Sequence, residues 1–126
     1  ITLAQKLAQR GLKTLLLAGR VKATTDAVIG TEAVASLQHY HFSKGFFGTN
    51  GITVEEGFTT PDIEEAMNKR VAMEHCRKCY VLADASKFEA LSNVSFGPLS
   101  KGVIITAAQE GLNVKSYKQH TEVIVL

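Results

Sequence analysis

Long apolar runs, dense basic blocks and proline are all scarce in this sequence of 126 residues. The longest apolar stretches, Leu15-Leu16-Leu17-Ala18 and Val103-Ile104-Ile105, fall far short of the roughly 20 residues that cross a bilayer and read as buried strands. No basic stretch leads into an apolar segment near the N-terminus, so a cytoplasmic location without membrane contact is expected. Two prolines and ten glycines are too few for a fibrous or low-complexity chain, and no repeat period is visible. The formal charge of +2 is spread along the chain without aromatic interleaving, which argues against this segment itself gripping nucleic acid.

Cysteine is nearly absent as well. Cys76 and Cys79 form a Cys-x-x-Cys, a spacing used by redox pairs and by halves of metal sites. A zinc site needs about four ligands, and only His75 stands nearby, while Cys79 opens the apolar run to Ala83. Buried structural thiols are therefore expected, with no metal and no cofactor. His39, His41 and His120 are scattered singly and read as surface or satisfied core residues.

What is present is an alternation of helix and strand patterns. Leu3, Leu7 and Ala8 recur at helical spacing, with Thr2 a candidate N-cap and Gly11 a candidate C-cap. Thr14 to Ala18, apolar on both faces, predicts a covered parallel strand, and Arg20 to Gly30 reads as a loop. Ala33, Val34 and Leu37 mark a second helix, and Gly45 to Gly48 a second strand that runs into a turn at Thr49-Asn50-Gly51. Thr60 as cap and Pro61 at the first helical position predict a third helix reaching about Cys76, with Asp62, Glu64 and Glu65 near its positive end. Strands Tyr80 to Ala83, Val103 to Thr106 and Val123 to Leu126 follow, the last two separated by a poorly patterned segment. The alternation predicts one α/β domain with an open, mainly parallel sheet and helices on both faces.

In such sheets ligands gather beyond the carboxyl ends of the strands. Gly48, Thr49 and Asn50, then Thr59 and Thr60, then Asp84, Ser86 and Lys87 each follow a strand or precede a helix and offer polar groups or free amides. Thr59 and Thr60 at a helix start would favour an anion, and Lys87 would set a point charge against a phosphate. Each stretch taken alone is explained as turn chemistry or capping; their coincidence at one edge points to a pocket.

Phe47-Gly48-Thr49-Asn50-Gly51-Ile52, Gly57 to Ala66 and Val81 to Phe88, in this order and spacing, resemble the DeoR-type repressors of sugar metabolism. Ala18-Gly19-Arg20 and Val28-Ile29-Gly30 extend the resemblance upstream. It implies that residues 1–126 are an effector-sensing domain, entered part way through, whose DNA contact belongs to an N-terminal winged helix-turn-helix outside this sequence. It also implies a fold similar to ribose-5-phosphate isomerases and related NagB-like domains, a phosphorylated sugar of the tagatose, galactose or fructose phosphate type as effector, and a homo-oligomer. The Gly-Thr-Asn-Gly form looks like members controlling lactose, tagatose or fructose use.

The isomerase comparison bears on catalysis. Counting back from Ala83-Asp84-Ala85-Ser86-Lys87, Lys69 falls where those enzymes hold a catalytic glutamate, Thr60 where they hold a lysine, and Asn50 where an aspartate is usual. An amide cannot carry a proton near neutral pH as a carboxylate does. A sensor without catalytic residues is thus expected, with Lys69 adding charge to the pocket. A sugar-phosphate isomerase and a purely structural oligomerisation module are the alternatives.

Overall fold

The computed structural model describes residues 1–126. Its centre is a four-stranded parallel sheet formed by β3 (Phe42–Gly48), β6 (Cys76–Leu82), β8 (Val103–Thr106) and β9 (Val123–Val125), in that spatial order. Beside it stands an antiparallel sheet of β4 (Gly51–Thr53), β5 (Gly57–Thr60) and β7 (Val94–Gly97). A third, two-stranded element pairs β1 (Arg20–Lys22) with β2 (Ala27–Ile29). The helices are α1 (Thr2–Gln9), α2 (Thr31–Gln38), α3 (Ile63–Glu74) and the single turn α4 (Lys115–Lys118). The predicted class, an open and mainly parallel α/β sheet flanked by helices, is the one observed. No helix is long and apolar enough to cross a membrane.

Each parallel crossover, β3 to β6, β6 to β8 and β8 to β9, steps in the same direction. Such crossovers are almost always right-handed, so the three connections fall on one face of the sheet. The alternation along the strands agrees. Phe47, Cys79, Val81, Ile104 and Val123 point into the core with Phe58, Phe96 and Tyr117, where each large apolar side chain contributes about 1.5–3 kcal/mol by leaving water. On the other face Phe46 is 63% and Leu82 48% exposed, and Phe46 stacks on Tyr80 at 5.2 Å between centroids.

Three expectations are corrected. Thr14 to Ala18 forms no strand: strand backbone needs a neighbour for its amides and carbonyls, none lies beside this segment, and Leu15 and Leu16 stand 66% and 61% exposed. The expected loop Arg20 to Gly30 holds the β1–β2 hairpin, tied to α3 by Arg20–Glu64, Lys22–Asp62 and Lys22–Glu65 ion pairs and by Asn68 Nδ2 donating to the Val28 carbonyl at 2.6 Å. Thr60 does not cap a helix but ends β5. The N-cap of α3 is Asp62, whose carboxylate accepts from the amides of Glu64 and Glu65 at 2.8 and 3.1 Å.

Candidate functional site

The carboxyl ends of β3 and β6 lie side by side, since Gly48 is the register partner of Leu82. Two of the predicted stretches therefore leave the sheet at one edge. From Gly48 the chain turns through Thr49 and Asn50 into β4. From Leu82 it passes through Asp84 into the 3-10 turn Ala85–Lys87. A bridge between Ile52 and Phe88, and the Glu89 amide donating to the Ile52 carbonyl at 2.9 Å, hold the two turns together.

Around the first turn the structure gathers Gly48, Thr49, Asn50, Thr59, Thr60 and Lys69. Thr49 Oγ1 is buried and shares its one proton between the carbonyls of Gly51 and Thr59, at 2.9 and 3.0 Å, which locks the turn to β5. Thr60 Oγ1 donates to Asn50 Oδ1 at 3.1 Å, and no side-chain group of the chain engages the exposed Asn50's amide nitrogen. From α3, Lys69 donates to the Gly48 carbonyl at 2.9 Å with its ammonium 5.0 Å from the Phe96 ring centre. Burial lowers the Lys69 pKa, opposed in part by Glu65. Asn50, Thr60 and Lys69, the positions where the resemblance sets acid and base groups in the isomerases, are thus brought into one cluster, and none bears a carboxylate.

The second turn is shaped by Asp84, whose carboxylate accepts from both the amide and the hydroxyl of Ser86. Those bonds, with the Lys87 charge, hold its carboxyl below the usual range, so Asp84 stays ionised. Lys87 enters none of the chain's ion pairs, which involve only Arg20 and Lys22 as cations. An ammonium on a half-buried residue, outside every ion pair of the chain, is a ready point charge for an anion. Thr106 ends β8 at this same edge with a buried hydroxyl that has no partner.

The anion site expected from the Thr59 and Thr60 amides is not built that way. Both residues are wholly buried inside β5, paired with β7. The true helix start at Asp62 is filled by its own carboxylate and surrounded by Glu64 and Glu65, so a bound anion there would meet three acids. Thr59 and Thr60 serve the turn instead: Thr59 Oγ1 accepts from the Ser92 amide at 3.0 Å, and Thr60 holds Asn50. Sequence reasoning also missed Tyr117 and Glu89. Tyr117 Oη, in α4, donates to the Glu89 carboxylate at 2.5 Å and accepts from the Glu89 amide at 3.1 Å. The polar stretch around Tyr117 carries no strand or motif pattern that would have marked it.

A family model described as the DeoR C-terminal sensor domain matches residues 1–108. Among curated proteins, the chain is 40% identical over 120 residues to an uncharacterized HTH-type transcriptional regulator FruR of Bacillus subtilis, covering 95% of this chain and 48% of that protein. It is 32% identical over 124 residues to the lactose phosphotransferase system repressor of Streptococcus mutans, covering 95% and 49%. The HTH-type transcriptional regulator GlpR of Haloferax volcanii matches at 33% over 99 residues, covering 79% and 39%. The chain spans about half the length, or less, of these relatives. They are transcriptional regulators, and the matched region is a sensor domain rather than a catalytic one. The chain belongs to the DeoR C-terminal sensor domain family.

Proposed function

We propose that this sensor domain binds a phosphorylated sugar at the carboxyl edge of the parallel sheet and thereby modulates DNA binding by a winged helix-turn-helix domain of the complete, cytoplasmic and self-associating regulator. Lys87 takes the phosphate, Lys69 adds positive charge, and Asn50 and the Gly48-Thr49 turn hydrogen-bond the sugar; Asp84 and Ser86 fix the turn that carries Lys87. The observation that carries this reading is that the turn bearing Lys87 and the turn bearing the Asn50, Thr60 and Lys69 cluster leave the sheet at adjoining strand ends and are bridged to one another. The name of one relative, a lactose phosphotransferase system repressor, supports sugar chemistry. An effector shifts the regulator between DNA-competent and released forms only by as much as it favours one in free energy.

The test is a thermal-shift panel. Tagatose 6-phosphate, galactose 6-phosphate and fructose 1-phosphate at millimolar concentration should raise the melting temperature, by an amount set by concentration over dissociation constant, where the parent sugars do not. Lys87→Ala should abolish the shift and leave the ligand-free melting point nearly unchanged. Full response of that variant would place the phosphate elsewhere.

A further inference from the structure

A cavity of about 780 Å³ opens between the turn after β6 and the segment from Gln109 to Gln119. It sits beyond the carboxyl ends of β6 and β8, the side of an open α/β sheet where ligands collect, and its size suits a small molecule. Another cavity, of about 340 Å³, lies near Met73, Glu74 and Leu99, at the amino ends of β6 and β8. The larger cavity shares Asp84 and Ser86 with the proposed effector site, while Lys87 is not part of its wall. Its other polar groups include Glu89, Gln109, Asn113 and Ser116.

This lining selects a chemistry. Three carboxylates, with Glu110 as the third, face a single lysine, Lys115, so a phosphate is disfavoured inside. Amides, hydroxyls and carboxylates of the lining together offer both donors and acceptors, which is what the hydroxyls of a sugar require. The walls are also held at fixed separation. Tyr117 Oη, from the C-terminal wall, binds both the carboxylate and the amide of Glu89, on the turn wall, and lies 3.1 Å from the Ile52 carbonyl. Glu89 itself adopts a left-handed backbone, φ 59°, uncommon for a residue with a side chain. One carboxylate oxygen of Glu89 is taken by Tyr117, and the other has no bond within the chain.

We propose that this cavity is the subsite for the hydroxyl-bearing end of the effector, with Glu89, Gln109 and Ser116 deciding which sugar is accepted. It rests on the reading of the sheet edge as a sugar-phosphate site, and extends it to a segment that carries no motif. The phosphate lies on the Lys87 side of the turn and the hydroxyls on the Glu89 side.

Titration calorimetry of the whole chain tests it with fructose 1-phosphate, galactose 6-phosphate, ribose 5-phosphate and glycerol 3-phosphate. Glu89→Gln, which keeps the shape, and the double variant Gln109→Ala with Ser116→Ala should each weaken the preferred hexose phosphate at least tenfold or reorder the sugars. Glycerol 3-phosphate, which lacks the sugar body, should bind them as it binds the parent. Lys87→Ala should weaken all four probes alike. If the cavity variants bind every probe with parental affinity and order, the subsite is refuted and the effector reading stands. If the parent binds none of the phosphorylated sugars, both fall together.

Discussion

Lys22 reaches from the β1–β2 hairpin to place its ammonium 2.8 Å from the Asp62 carboxylate that caps α3. One side chain thus closes the helix start and anchors the hairpin. The Lys22 bond, then the Glu65 amide, holds the Asp62 carboxyl below its usual range, and the same contact raises the Lys22 pKa. A depressed folded pKa means the stabilisation is complete above the unfolded value of 3.8 and fades as pH falls through the folded one. Asp62→Ala should lower the melting temperature by several degrees near neutral pH and by much less once the pH has fallen below the lowered folded value, while Asp62→Asn, which still caps, should cost less. Equal losses across that pH range would show that the contact is not ionic.

The two glycines of the first turn should respond oppositely to the same change. A methyl group on Gly51 would stand 2.2 Å from the Ala90 carbonyl and 2.7 Å from Thr59 Oγ1, whereas on Gly48 it would meet nothing within 4 Å. Gly51→Ala should cost about 1–3 kcal/mol or more, because backbone must move. Gly48→Ala should stay within about 0.5 kcal/mol. Urea unfolding of both variants decides it; comparable midpoints would contradict the packing around Gly51.

How much of this was legible in the residues follows from what each pattern encodes. Val103 to Thr106 was read correctly because a short apolar run is what a covered parallel strand requires. The same pattern misled at Thr14 to Ala18, since apolar character reports a demand for burial and not the presence of a neighbouring strand. β4, β5 and β7 were not foreseen: Gly51-Ile52-Thr53 and Gly57 to Thr60 look like turns when glycine and threonine are weighed alone. The convergence of Gly48 to Asn50 with Asp84 to Lys87 was legible because both follow strands. The blocked start of α3 was not, because a cap two residues later, at Asp62 instead of Thr60, exchanges an open anion site for a filled one.

Tyr117 should behave as a brace with an alkaline limit. Burial, and next the Glu89 carboxylate, push its hydroxyl up to about 12 from 10.0. A raised folded pKa gives stabilisation that is complete below the unfolded value and is lost as pH climbs from about 10 towards 12. Tyr117→Phe strands the Glu89 groups and should cost about 1–3 kcal/mol at neutral pH. Denaturant melts at neutral and strongly alkaline pH should show this gap narrowing; a constant gap would remove the hydroxyl from the account.

The Cys-x-x-Cys should be chemically quiet. Cys79 is buried, donates to the Met73 carbonyl at 3.5 Å, and burial followed by Cys76 pushes its thiol up to about 11. Burial raises Cys76 too. The thiolate is the reactive species, so at pH 8 the folded chain should react with a thiol reagent many times more slowly than the unfolded chain, Cys79 slowest of all. Two thiols titrating within seconds in the native state would reopen the redox reading.

The open face of the parallel sheet makes the last prediction. Phe46, Tyr80 and Leu82 share that face, and β3 is one of the sheet's two edge strands. Exposed apolar surface of this kind drives association, and a free edge templates further pairing. Lys44 and Lys78 are register partners on the same face, so copies meeting there bring like charges together. Association of the 126-residue chain should therefore tighten as salt screens that repulsion. Sedimentation velocity over a concentration series should show oligomers in the parent, and Phe46→Lys with Leu82→Lys should return a monomer at matched concentration. Monomer throughout, or oligomers weakened by salt, would mean that this face is not where copies meet.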